Sequence, residues 1–230
     1  MSIAENVRMM RENIMRATVA CGRVPGEITL VAATKGRGID EINAAIEAGV
    51  KNIGENRVQE LVEKYESGEI LPVKWHFIGR LQTNKVKYII DKVDLIHSVD
   101  SMKLAEEINR RARGIGKRQD VLVQVNLFEE ESKAGIAVEE VEDFIERMRI
   151  LENVKVRGFT LMAPRGVVTQ MSHKCKGFVI DKMQLFCDNS EKGVISYGMT
   201  GDYAFAIACG STMIRIGSGI FGDILGEGER

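Results

Sequence analysis

Three glycines, at positions 217, 219 and 222, follow the β-branched run Met213–Ile216 and make this the first place to look for chemistry. They spell G-x-G-x-x-G, but a dinucleotide site needs a helix and a further strand after the glycines, within a unit of about thirty residues. Only eight residues follow Gly222, so a dinucleotide site is not expected. A strand whose glycine-rich exit exposes backbone N–H groups remains a seat for a phosphate, with Gly217 and Ser218 at its centre. Arg215 lies two residues before that turn, on the strand face it shares with Met213 and Gly217. A guanidinium inside a β-branched strand needs a partner, either a salt bridge across a barrel floor or a ligand. Facing a pyridine nitrogen, it would donate a hydrogen bond and, unable to give up its own proton, leave that nitrogen unprotonated. Lys35 ends the run ITLVAA-Thr34 and shares parity with Val31 and Ala33. A strand-end lysine can simply be solvated, but one partly desolvated beside another cation is a candidate Schiff-base amine. With the hydroxyls of Ser196 and Thr200, these residues point to pyridoxal phosphate.

Other polar residues say less. Asn126 can cap a turn, and His76, between Trp75 and Phe77, reads as a core histidine. His97 and His173 carry no signal of their own. The four cysteines (21, 175, 187 and 209) have irregular spacing and no C-x-x-C, so neither a metal site nor a disulfide framework is expected. No paired carboxylates stand out for acid–base work, and no catalytic residue is assigned.

The elements that must position these residues repeat along the chain. Apolar residues at Ile3, Val7, Met10, Ile14 and Ala17 have helical spacing and predict an N-terminal helix, broken at Pro25-Gly26. From Ile28 onward, strands and helices alternate eight times. Predicted strands are 28–33, 52–54, 75–78, 95–99, 121–126, 154–162, 194–197 and 213–216. Predicted helices are 40–48, 57–65, 84–90, 102–113, 138–148, one within 172–187, and 202–209. Residues 165–176 read as a long loop entering the sixth helix. The alternation predicts one domain over residues 1–230, an α/β (β/α)8 barrel with an extra N-terminal helix. In such a barrel chemistry gathers at the C-terminal strand ends, where Lys35 and Arg215 fall. The 32 basic and 33 acidic residues give a net charge of −1, so no nucleic-acid partner is expected. Charges at Glu5, Arg8, Arg11 and Glu12 speak against a signal peptide, and no apolar run reaches the ~18 residues of a membrane span. A cytoplasmic protein is expected.

LVAATK (30–35), IGENRVQE (53–60), WHFIGRLQTNK (75–85), SYGMTGDYAFAI (196–207) and GSTMIRIGSGIFG (210–222) together resemble the pyridoxal phosphate homeostasis protein family. The resemblance runs from Val31 to Gly222. It implies a fold-type III barrel related to the N-terminal barrel of alanine racemase, with pyridoxal 5′-phosphate held as an aldimine on Lys35. It places Arg215 against the ring nitrogen and Asn56 beside the ring. Gly217 and Ser218 fall on the phosphate loop, with Ser196, Met199 and Thr200 around the phosphate. Two departures stand out: RGVVTQMSHKCKG (165–177) is basic where the family is acidic and helical, and Tyr197 and Thr200 replace the more usual residues of an S-M-G-M-S motif.

The function expected is that of a carrier and regulator of pyridoxal phosphate, monomeric, with apo-enzymes that use the cofactor as its candidate partners. An amino-acid racemase of the alanine racemase type is the alternative, although such enzymes add a C-terminal β-domain bearing a tyrosine base. A phosphate-binding isomerase would leave Lys35 and Arg215 unexplained.

Overall fold

The structure, a computed structural model, describes residues 1–128, 134–162, 169–186 and 193–222, without the side chains of 169–172. Eight strands pair in chain order, all parallel, and the last returns to the first to close a barrel. They are β1 (Thr29–Ala33), β2 (Asn52–Glu55), β3 (Lys74–Phe77), β4 (Leu95–Val99), β5 (Gln119–Val125), β6 (Val154–Leu161), β7 (Val194–Ser196) and β8 (Met213–Ile216).

Alternation along each strand sorts residues into two cores. Val31, Leu95, Leu122 and Met213, with Val194, fill the inside of the barrel. The neighbouring positions Ala32, Ile53, Phe77, Ile96, Val121, Phe159 and Ile214 face the helices in a larger outer core. Inner parity therefore carries upward from Val31 to Ala33 and Lys35, from Leu95 to His97, from Val194 to Ser196, and from Met213 to Arg215.

The outer layer comprises α1 (Ile3–Ala20), α2 (Ile39–Glu47), α3 (Val58–Glu66), α4 (Met102–Gly114), α5 (Val141–Arg149), α6 (Thr169–Lys182), α7 (Tyr203–Ala208) and α8 (Ser218–Phe221). A capping box starts α1: Glu5 N–H donates to Ser2 Oγ at 3.2 Å, and Ser2 N–H to Glu5 Oε2 at 2.8 Å. Val7, Met10, Ile14 and Thr18 then bury one stripe of α1, which packs on α2, α7 and α8.

Three expectations need correction. The helix expected over 84–90 is a 3-10 helix and spans residues 83–88. Val86 and Ile89, both fully buried, are three apart, a spacing the three-residue turn stacks on one side. The sixth helix starts at Thr169, inside the stretch read as a loop. Of its described side chains only Cys175 and Phe178 are buried, so its polar and apolar residues do not segregate into a legible face. Phe178 nevertheless docks edge-on against Phe159 of β6 at 5.2 Å between ring centres. Residues 165–168, the start of the divergent stretch, lie outside the described residues. Finally, the glycine-rich exit of β8 winds into the single turn α8 instead of remaining a plain loop.

Among the described residues, no helix is long and apolar enough to cross a membrane.

Candidate functional site

The register places the main candidates on two adjacent strands. Val31 of β1 lies beside Arg215 of β8, so Ala33 and Gly217 follow as the next inward pair and Lys35 emerges above them. Ala33 and Gly217 thin the barrel wall between lysine and arginine. A Cβ built on Gly217 would find Ala33 O at 3.6 Å and Ala33 Cβ at 3.7 Å, so any larger side chain there would occupy the mouth. Lys35 is half-buried in the turn after β1. Arg37 ties that turn to α8: Nη1 donates to Phe221 O at 3.1 Å, and Nη2 donates to Gly222 O.

Among the described residues Arg215 makes no salt bridge across the barrel. Its Nη1 donates to Ser196 O at 3.1 Å and to Ser196 Oγ at 2.5 Å. Ser196 Oγ lies 3.2 Å from His97 Nδ1, and His97 Nε2 lies 2.9 Å from His76 Nδ1. Because a guanidinium only donates, Ser196 Oγ accepts from it and turns its own proton toward His97 Nδ1. The proton of His97 is thereby assigned to Nε2, where it is donated to His76 Nδ1. A hydrogen-bonded chain thus crosses the barrel interior from β8 through β7 and β4 to β3. Burial lowers Arg215 to about 10, which leaves it charged at neutral pH. Burial also lowers His76 to about 4 and holds His97 well below its usual value, so both imidazoles are neutral.

This has a consequence for stability. A histidine that titrates near 6.5 unfolded but at about 4 folded leaves the unfolded chain binding more protons between those values. Stability is then fully present above the unfolded value and falls as pH drops through that window, by about 1.4 kcal/mol per unit for each such histidine. Urea unfolding at pH 7 and pH 5 is expected to show a lower midpoint at pH 5, with a smaller difference in His76→Phe.

The remaining predicted residues are placed as follows. Asn56 is exposed just beyond β2. Its carbonyl is packed so closely on Gly79 that a Cβ there would lie 2.0 Å from Asn56 O, so glycine at 79 is what allows the two strand ends to meet. The two hydroxyls do not act as a pair: Ser196 belongs to the interior chain, whereas Thr200 Oγ1 accepts from Gly219 N–H at 3.2 Å. That bond joins the loop after β7 to the first turn of α8. Met199 in the same loop is 55% exposed, and Ser218 is exposed at the start of α8.

His97 was invisible from its neighbours alone, although its parity with Leu95 was available once β4 is inside a barrel. Thr160 was also missed: it is 4% exposed, on the inner parity of β6 beside Ser196, and its Oγ1 has no partner among the described residues. Among the described residues, no three His, Cys, Asp or Glu side chains group as metal ligands.

The donor set suits a phosphorylated, aldehyde-bearing aromatic ring. An amine and a donor-only cation share the inner parity, a glycine leaves space between them, a buried hydroxyl lacks a partner among the described residues, and N–H groups begin a turn beside a threonine hydroxyl.

Comparison with known proteins agrees with that chemistry. Residues 2–224 match the family model for the alanine racemase N-terminal domain. A protein of Aquifex aeolicus named pyridoxal phosphate homeostasis protein is 37% identical over 97% of this chain and 99% of its own length. The structure of PipY from Synechococcus elongatus with PLP bound superposes with a TM-score of 0.82 at 30% identity, covering 96% of this chain and all of that one. Alanine racemase of Clostridium difficile shares the fold with a TM-score of 0.73 at 17% identity, over 97% of this chain and 58% of that one.

Proposed function

The chain belongs to the pyridoxal phosphate homeostasis protein family, built on the alanine racemase N-terminal domain, and from that premise we propose that it binds pyridoxal phosphate at the barrel mouth and helps balance the supply of that cofactor. The observation that carries this reading is the shared inner parity of Lys35, Gly217 and Arg215 on two hydrogen-bonded strands. Lys35 would hold the cofactor through its amine, and Arg215 would face the ring nitrogen. Backbone N–H groups at Gly217 and Ser218, with the Thr200 hydroxyl, would take the phosphate, and Asn56 would flank the ring. When bound, the cofactor supplies an aldehyde carbon that an amine can take and a ring that draws electrons from an attached amine.

The chain's own residues prepare this site. Ser196 holds the guanidinium from two directions, through its carbonyl and its hydroxyl. His97 and His76 keep the serine proton pointed away from the guanidinium. Arg215 then presents its remaining N–H groups with a fixed charge, and a donor that keeps its proton leaves a ring nitrogen unprotonated. We further propose that the protein works as a cytoplasmic monomer and hands its cofactor to apo-enzymes that need it.

An absorbance titration with pyridoxal phosphate and with unphosphorylated pyridoxal tests the reading. The phosphorylated form is expected to give a visible band and to bind at least tenfold more tightly, since each charge-assisted hydrogen bond lost costs about 1.5–3 kcal/mol. Gly217→Val is expected to weaken binding more than Ser218→Ala, because a branched side chain would fill the space beside Ala33 while the serine change leaves its N–H in place. Equal affinity for both forms would remove the phosphate seat from the account.

A further inference from the structure

The turn that carries Lys35 is gripped from the side opposite the mouth. Gly54 faces the barrel interior, where a Cβ would meet Val31 and Ile78 at 3.0 Å, so Glu55 points outward toward α3. There it is fully buried, and its Oε1 accepts from Thr34 Oγ1 at 2.6 Å and from Lys64 Nζ at 2.6 Å. Lys64 uses its other two protons on Thr34 O and on Glu60 Oε1, both at 2.8 Å. Glu60 Oε1 also accepts from Gly36 N–H at 2.5 Å. The residue before Lys35 and the residue after it are therefore both bound, through backbone atoms, to one buried ammonium and its two carboxylates.

Holding a strand together does not require this. The β1–β2 ladder already pairs Ala33 with Gly54, and Thr34 N–H already donates to Gly54 O at 3.0 Å. The added bonds begin where the ladder ends and fasten only the turn Thr34–Gly36. They are also costly to bury, since Glu55 Oε2 has no partner among the described residues and desolvation raises the Glu55 carboxyl despite the lysine beside it.

We propose that Glu55, Glu60 and Lys64 are positioning residues that clamp the Thr34–Gly36 turn and so fix where the Lys35 amine meets an aldehyde in the mouth. This rests on the reading that the mouth binds pyridoxal phosphate. In the captured state the lysine nitrogen replaces the aldehyde oxygen, which leaves as water. That exchange depends on the placement of the amine, whereas contacts to the ring and phosphate do not.

Pyridoxamine phosphate separates the two contributions, because it keeps the ring and the phosphate but has no aldehyde to be captured. Glu60, at the cluster's edge and partly open to solvent, is the safest residue to change. Glu60→Ala is expected to slow covalent capture of pyridoxal phosphate by about tenfold, the scale of a small misplacement of a reacting group. Its affinity for pyridoxamine phosphate should stay within about twofold of wild type, the scale of surface changes that miss a contact. Glu60→Gln keeps an acceptor for Gly36 N–H and should recover most of the capture rate. Lys64→Met is expected to act in the same direction as Glu60→Ala but more strongly if it folds, as thermal unfolding would report.

Unchanged capture in Glu60→Ala would overturn the clamp. So would equal weakening of both ligands, which is what a merely structural role predicts. A wild-type protein that binds neither ligand would instead overturn the functional reading, and the clamp with it.

Discussion

Lys35→Ala is expected to abolish covalent capture of pyridoxal phosphate and leave the barrel folded. Lys35 is half-buried at the mouth and belongs to neither the inner nor the outer apolar core. Removing its side chain opens no cavity in either apolar core, so the variant should still unfold in one cooperative transition. The visible band should vanish completely, since among the described residues no other amine shares the inner parity beside Gly217 and Arg215. Residual binding through phosphate and ring contacts should remain detectable by calorimetry. A variant that keeps the visible band at full strength would place the reactive amine elsewhere.

The second large effect concerns turnover. Incubated with L-alanine in deuterated water, the protein is expected to exchange the α-proton slowly, with little racemisation. Two features of the interior argue for this. Arg215 keeps its proton, so a ring nitrogen facing it stays unprotonated and draws electrons weakly. Racemisation also needs a base on each face of the α-carbon, and Lys35 would supply one. The interior imidazoles are poor candidates for the other: His76 titrates at about 4, and both nitrogens of His97 are engaged. Tyr197 is turned away from the interior, packed edge-on with Phe205 of α7, and burial raises its phenol. A positioned base contributes about 10²–10⁴-fold, so its absence should be plain in the NMR time course. Rapid exchange with racemisation would favour the racemase alternative.

Much of this arrangement was legible because a barrel turns one-dimensional parity into direction. Val31, Ala33 and Lys35 alternate along one strand, and Met213, Arg215 and Gly217 along another; closing the sheet sends both sets inward. Parity also assigns His97 to the interior, but only after Leu95 is known to lie there, and nothing beside it in the sequence marks it as polar core. The clamp was hidden for a related reason. Glu55 sits beside Asn56 at the end of its strand, yet its own parity sends it outward, and its partner Lys64 looks like an ordinary solvated helix lysine. Only folding brings Lys64 Nζ under Thr34. The start of the sixth helix escaped because its buried residues are too few to impose a period, and the 3-10 turn at 83–88 because four- and three-residue spacings differ by a single position.

Borohydride reduction of the protein loaded with pyridoxal phosphate, followed by peptide mass mapping, tests the central claim most directly, because it fixes the cofactor to whichever amine holds it. The pyridoxyl mass is expected on the peptide containing Lys35, at close to one per chain. The same mass on Lys51, Lys85 or Lys133, with Lys35 unmodified, would contradict it.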